Sequence, residues 1–199
     1  FKIKKAKLRG VESFGMLCSE RELGLSDNHD GLMELPLEAD NGMDIVDYLT
    51  LDDTCIEVDL TPNRGDCLGI KGIARETGLL NNLDLKVSQV AAVKSAIEDI
   101  FPVHLNCPQT CPRFVGRIIR DVDLSVPSPL WLREKLRRSG IRSIDSVVDV
   151  TNFVMLELNQ PMHAYDLDRL DNSITVRLSK GGEQMTLLDG SSVELLEGT

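Results

Sequence analysis

The chain contains no run approaching the roughly 20 apolar residues that cross a membrane as a helix, nor a basic start followed by an apolar stretch and a cleavage site. A membrane span and a secretory signal are therefore not expected. Positive charge is in short supply: 22 Lys and Arg face 32 Asp and Glu, a net −10. That balance weighs against a free-standing nucleic-acid binder, although a local basic patch can act within an acidic protein. Cysteine is present as an odd number, five, which without a secretory signal points to reduced thiols in the cytoplasm. There is no Walker loop, nucleophile elbow, dinucleotide fingerprint or helix-borne zinc motif, so no ATP site is expected in this chain. An initial Met is missing and Phe1-Lys2-Ile3-Lys4 begins in mid-strand, so a piece of something longer is expected. With 42% hydrophobic and 27% charged residues over 199 positions, the rest is ordinary for one large or two modest globular domains.

What is present centres on 146–166, SVVDVTNFVMLELNQPMHAYD. Ile144, Val147, Val148, Thr151, Val154, Met155 and Leu158 recur at the spacing of one helix face, with Asp145, Asp149, Asn152 and Glu157 elsewhere on the wheel. Thr151 is thus a hydroxyl on an apolar stripe. It either bonds a backbone carbonyl one turn back or serves a ligand. Asn159 and Pro161 end the helix, and His163 follows in an extended segment. Thr and Asn can hold an ester or a ribose hydroxyl, and His can position or activate water near neutral pH. Thr151, Asn152 and His163 are therefore the candidates for chemistry, with Arg142 as an anion contact.

Upstream, FKIKKAKLRG reads as a strand with a lysine-rich face, MLCS and LMELP as further short strands, and Gly10 and Gly15 as marks of tight turns. Ser19 with Glu22 three residues later forms a capping-box pattern. His29 sits in a turn cluster without a second ligand at metal spacing. CIEVDL alternates as a half-buried strand, TPNRGD breaks it, and Asp66 is the expected cap of a helix over 67–80 with Leu68, Ile73 and Leu80 inward. The Arg-Gly-Asp within TPNRGD is not read as an adhesion signal. Gly69 and Gly72 in that helix imply close packing on a sheet. KVSQVAAVKSAIEDI is a connector.

FPVHLNCP and RFVGRIIRDV are strand candidates. Cys107 and Cys111 beside His104 supply only three of four zinc ligands, so buried or idle thiols are expected. SVPSPLWLREKLRRSG is a helix with Ser128 as its cap, Pro129 first and Gly140 as its stop. Arg137 and Arg138 in its far half either complement the helix dipole or touch phosphates. Ser143 is the expected cap of the next helix. ITVRLSKGGEQMTLLDGSSVELL reads as three antiparallel strands, turned at Lys180–Glu183 and at Asp189-Gly190, with the chain stopping in mid-sheet.

KLRGVESFGMLCSERELGL resembles the closing part of the OB-type tRNA-binding domain shared by several aminoacyl-tRNA synthetases and their accessory factors. Small barrels of that kind bind single strands through basic and stacking side chains, which implies weak tRNA contacts at Lys7 and Arg9. GIRSIDSVVDVTNFVMLELNQPMHAYD resembles the hallmark of the beta subunits of bacterial phenylalanine–tRNA ligases (phenylalanyl-tRNA synthetases). TPNRGDCLGIKGIARETGLLN, CPRFVGRII and PLWLREKLRRSGIRS match that family in order.

This resemblance implies an α+β fold of mixed and antiparallel sheets with flanking helices. It divides the chain into the end of an OB-type tRNA-binding domain (1–49), a strand–helix part of the N-terminal core (50–85) and the first part of an editing domain (86–199). It implies a share in ATP- and Mg²⁺-dependent attachment of Phe to its tRNA, with no cofactor held by this piece, and an alpha-subunit partner in a heterotetramer. It also implies hydrolysis of mischarged Tyr-tRNA, with Thr151, Asn152 and His163 in the editing site and Pro161 and Arg142 contacting substrate. Arg137 and Arg138 join Lys7 and Arg9 as weak tRNA contacts. The family's remaining pocket residues, including the acid that recognises the phenol, are expected beyond Thr199. Cys107 is atypical for the family. The alternative class is a non-catalytic tRNA-binding or scaffold module.

Overall fold

Positive φ at two successive residues, Arg9 at 50° and Gly10 at 86°, closes a hairpin between β1 (Ala6–Leu8) and β2 (Val11–Ser13). Such paired left-handed residues match the twist of the flanking strands. The register sets Ala6 opposite Ser13, Lys7 opposite Glu12 and Leu8 opposite Val11. The computed structural model describes residues 2–27, 29–86 and 89–199, which group into two units, 1–54 and 55–199.

In the first unit the capping box forms. Ser19 N–H donates to Glu22 Oε2 at 2.8 Å and Glu22 N–H to Ser19 Oγ at 3.3 Å. It opens a turn rather than a full helix. The expected strands MLCS and LMELP do not form. One bond, Met33 N–H to the Cys18 carbonyl at 2.9 Å, joins them, and a single bond is not a ladder. A short helix α1 (Ile45–Tyr48), which the sequence pattern did not suggest, is capped by Asp44 accepting from Val46 N–H at 2.8 Å. Leu25 and Leu49 are this unit's buried apolar side chains among the described residues.

The second unit is built on three helices. They are α2 (Ile70–Asn81), α3 (Leu130–Arg138) and α4 (Ser146–Leu158), and α4 contacts both others. The sheets are short. β3 (Val103–Leu105) pairs in parallel with β4 (Ile174–Val176), and the connection between them carries α3 and α4. β5 (Gln184–Thr186) and β6 (Ser192–Glu194) form an antiparallel hairpin around Asp189-Gly190. The fold is α+β, with short antiparallel and parallel sheets beside helices.

Several local expectations change. The three-stranded antiparallel sheet from 174 onward is replaced by the parallel β3–β4 pair and a separate hairpin. The Lys180–Glu183 turn is held by an Arg177–Glu183 ion pair at 2.8 Å rather than by a ladder across it. CIEVDL and RFVGRIIRDV are not strands, and Ile56, Val115 and Ile119 are exposed. An alternating segment satisfies its backbone only when a second strand lies beside it, and neither has one among the described residues.

Leu68 and Leu80 are exposed rather than inward. The packed side of α2 is its glycine side. A Cβ on Gly72 would stand 1.8 Å from the Asp66 carbonyl oxygen, and one on Gly69 2.7 Å from Asn159 N. The close approach is therefore to a turn and to the end of α4, not to a sheet.

The expected caps of the three main helices move as well. Asp66 gives way to Gly69, and Asp66 instead pairs with Arg64. Pro129 takes the cap position of α3 in place of Ser128. Asp145 replaces Ser143, its Oδ1 accepting from Val147 and Val148 N–H at 2.9 Å each. At α4 a carboxylate that takes both N–H donors and complements the helix dipole outcompetes a hydroxyl. At α3 no side chain caps the first turn, and both serine hydroxyls go to another acceptor.

Candidate functional site

That acceptor is Asp149. Its side chain is fully buried, although the periodicity sets it off the apolar stripe. Oδ2 accepts from Ser128 Oγ at 2.6 Å and Ser143 Oγ at 2.5 Å, and Oδ1 from Ile144 N–H at 3.0 Å. Burial pushes this carboxyl's pKa up. The three hydrogen bonds, helped by the Arg133 charge, outweigh it and hold the group below the usual carboxylate range. Asp149 thereby ties together the segment before α3, the α3–α4 joint and the first turns of α4.

Next to this hub, Leu132 and Leu136 of α3 are buried. Trp131 meets Phe153 of α4 edge-on, with centroids 5.6 Å apart and planes at 83°, and Lys135 Nζ lies over both rings at 5.7 and 5.5 Å. Aromatic and cation–ring contacts of this kind fix the relative rotation of two helices as well as adding burial. Sequence reasoning missed Asp149 because nothing local marks it: two of its donors belong to residues read as caps.

On this framework Thr151 and Asn152 occupy successive positions in the middle of α4, so they point about 100° apart around the axis. Thr151 is half-buried, and its Oγ1 donates to the Val148 carbonyl at 2.8 Å. The proton is thus committed locally, while the oxygen lone pairs remain able to accept. Asn152 is half-buried, and its amide bonds no described residue. His163 is exposed beyond the end of α4, its ring 6.1 Å from that of Tyr165 and tilted by 39°. Pro161 is exposed, its carbonyl accepting from Gln160 Nε2 at 3.2 Å. Arg142 is exposed, with no partner for its guanidinium among the described residues.

Arg137 and Arg138 are not free cations. Arg137 forms a bidentate pair with the buried Glu134 at 2.9 and 2.8 Å, and Arg138 lies 3.5 Å from the same carboxylate. Lys7 on β1 and Arg9 in the hairpin turn are both exposed. Cys107 is buried, one turn before Cys111, whose N–H donates to the Cys107 carbonyl at 2.9 Å.

Two other clusters stand apart from these residues. A cleft of about 370 Å³ is lined by Ile100, Phe101, Ile118 and Leu167, with the Arg120–Asp99 ion pair and Asp168 at its polar side; none of the candidate residues enters it. Asp66, Cys67 and Glu76 bring ligand atoms within 4.8 Å of one another, but the Arg64 guanidinium fills the space between them. Arg64 bonds Asp66 at 3.0 and 3.1 Å, Glu76 at 2.8 Å and Cys67 Sγ at 3.0 Å. Its hydrogen bonds hold Asp66 below the usual range, while burial pushes the Cys67 thiol up against the pull of that cation. A guanidinium so placed is the counter-ion of the cluster.

Comparison with known proteins bears on the same region. Residues 110–199, which include α3, α4 and β4–β6, match the family model described as B3/4 domain. Across all 199 residues the chain is 61% identical to the phenylalanine--tRNA ligase beta subunit of Idiomarina loihiensis. It is 58% identical over 195 residues to that of Pectobacterium atrosepticum and 55% over 195 residues to that of Yersinia pestis, covering 98% of this chain in both cases. The chain belongs to the phenylalanine--tRNA ligase beta-subunit family. It spans about a quarter of the length of these curated relatives, 25%, 24% and 24% in turn. Those relatives are by name subunits of a phenylalanine--tRNA ligase, an aminoacyl-tRNA synthetase. Among the described residues no helix is long and apolar enough to cross a membrane.

Proposed function

We propose that this chain carries part of the site at which a phenylalanine–tRNA ligase hydrolyses tyrosine wrongly esterified to the phenylalanine tRNA. The observation that carries the reading is the α4 segment. VTN lies inside the helix and QPMHA just beyond it, within the region matched as a B3/4 domain. The need for such a site is physical. A pocket built for Phe rejects an isostere with one added hydroxyl by only about a hundredfold, so a second, hydrolytic site must remove the remainder.

In this reading the Thr151 oxygen and the Asn152 amide, neither committed to another acceptor or donor on its outer side, hold the ester or the ribose hydroxyl. The exposed His163 imidazole orients the attacking water, and Pro161 shapes the wall. Arg142, whose guanidinium has no partner among the described residues, contacts the tRNA's phosphates. Arg137 and Arg138 contribute less, because Glu134 neutralises part of their charge.

The same reading sets the chain in a cytoplasmic enzyme that attaches Phe to its tRNA using ATP and Mg²⁺, with an alpha-subunit partner in a heterotetramer. No residue of this chain is assigned to ATP or Mg²⁺. Residues 1–49 would close an OB-type tRNA-binding domain, 50–85 belong to the N-terminal core and 86–199 open the editing domain. The test is clearance of Tyr-tRNA by the full-length subunit assembled with its partner. His163→Ala is expected to slow deacylation about 100-fold or more, and Thr151→Val, which keeps the shape and removes the hydroxyl, to slow it as well, with Phe attachment retained. Clearance at the normal rate by both variants would overturn the site.

A second reading, a tRNA-binding module without chemistry, draws on the β1–β2 hairpin. There Lys5 Nζ lies 5.0 Å over the exposed Phe14 ring and pairs with Glu12 at 2.8 Å, beside Lys7 and Arg9. It requires salt-dependent tRNA binding by residues 1–85 that persists when the remainder is deleted.

A further inference from the structure

The C-terminal end of α4 is joined to a segment 94 residues earlier in the chain. Asn159 takes the left-handed conformation, φ 58° and ψ 38°, and its N–H donates to the Met155 carbonyl, which terminates the helix. Glycine does this at many helix ends, and Asn tolerates it. Asn159 also does something glycine cannot: its Nδ2 donates to the Gly65 carbonyl at 2.8 Å. On its other side stands the buried Gly69, the residue before α2, where a Cβ would come within 2.7 Å of Asn159 N and 2.9 Å of Asn159 Cβ. The end of α4 is therefore seated between a side-chain anchor and a backbone approach that only glycine permits.

The chain beyond this seat has little else to hold it. Residues 160–163 are exposed and irregular, and the one described side-chain bond among them, from Gln160 to the next residue's carbonyl, is local. Pro161 stiffens the path from Asn159 to His163, restricting its own φ and the conformation of Gln160. Pro161 thus leaves fewer torsions between Asn159 and the imidazole in which a change of direction at Asn159 could be absorbed.

We propose that Asn159, seated between Gly65 and Gly69, is a positioning residue that sets where His163 stands. The inference rests on the editing reading of His163 given above. It assigns to the TPNRGD–Gly69 segment, which that reading leaves without a part, the task of holding the exit of α4.

The experiment uses the full-length subunit assembled with its alpha partner. Asn159→Asp keeps size and tolerance of the left-handed backbone but sets a carboxylate against the Gly65 carbonyl. Asn159→Gly keeps the backbone conformation without steric cost and removes only the anchor, so the helix end still forms. Each variant is expected to lower kcat for Tyr-tRNA deacylation by roughly 10- to 100-fold, the loss that a displacement of about 1 Å produces. KM is expected to stay within about twofold, with Phe attachment and Tm retained. Unchanged deacylation in both variants, while His163→Ala abolishes it, would overturn the inference and leave the editing reading standing. A rise in KM alone, or a parallel loss of Phe attachment and Tm in both, would also overturn it. If His163→Ala itself leaves deacylation intact, the editing reading falls, and this inference with it.

Discussion

Asp149 and Asp66 are both held below the usual carboxylate range, and they reach that state by different physics. For Asp66 the largest influence is the Arg64 guanidinium bonded to it, with burial second and working in the other direction. Its side chain remains 45% exposed. For Asp149 burial is the largest influence and pushes the pKa up; two hydroxyls and one backbone N–H must overcome it before the Arg133 charge adds anything. The direction of the shift is the same, and its meaning for the fold is not. An exposed pair exchanges water for a partner at little net gain. A fully buried acceptor with three donors turns each of those donors into a potential unsatisfied group if it is removed.

The contrast is sharpest under Asp149→Ala. Ser128 Oγ, Ser143 Oγ and Ile144 N–H lose their acceptor at once, and urea unfolding is expected to report a loss of about 4 kcal/mol. A loss below about 1 kcal/mol would mean that the hub is solvated rather than buried. Gly72→Ala probes the Arg64 side of the comparison through its backbone rather than its charge. The new Cβ would overlap the Asp66 carbonyl, and overpacking against backbone is expected to cost about 1–3 kcal/mol by the same measurement.

Acid tests the buried carboxylate from a different direction. Because the folded pKa of Asp149 lies below its unfolded value of about 3.9, the unfolded chain binds more protons in the window between them. The stabilisation is therefore full above that value and lost as pH falls through the folded one. Unfolding midpoints measured from pH 6 downward should fall in the native chain, and Asp149→Asn should flatten that dependence. An undiminished acid slope in the Asn variant would assign the slope to other carboxylates, Glu134 and Asp66 among them, since they too are held low. The smallest effect is expected from Arg64→Ala. It should barely move the unfolding midpoint at physiological salt and should matter more at low salt, where the pair is less screened. A large loss insensitive to salt would place Arg64 with Asp149 rather than opposite it.

How much of this was legible in the residues differs from element to element. The three main helices were, because a helix satisfies its backbone within itself and its periodicity is written along the segment. α2, α3 and α4 all lie within a few residues of where their patterns set them. The Arg9-Gly10 and Asp189-Gly190 turns lie where glycine marks them. The caps were not: Ser128 and Ser143 are suitable side chains, but Asp149 takes both hydroxyls, and Pro129 and Asp145 hold the cap positions instead. The candidate residues follow the same division. That Thr151 and Asn152 share a helix and His163 follows its end is legible. That Thr151 donates to Val148, that Arg137 and Arg138 are tied to Glu134, and that Arg64 occupies the Asp66–Glu76 cluster are matters of neighbours.

By itself the sequence determined the helices, the tight turns, the acidic balance and, through its motifs, the family. Each of these is a property of consecutive residues or of their composition. Only the tertiary structure decided that β4 pairs with β3 in parallel and that Cys55–Leu60 has no described ladder partner. It also decided that a polar residue off the apolar stripe is the most deeply buried carboxylate, and that Asn159 reaches Gly65. The physical reason is common to all four. A strand's bonds, a buried charge's donors and a close backbone approach are completed by residues outside the element's own repeat, and no local pattern names the partner.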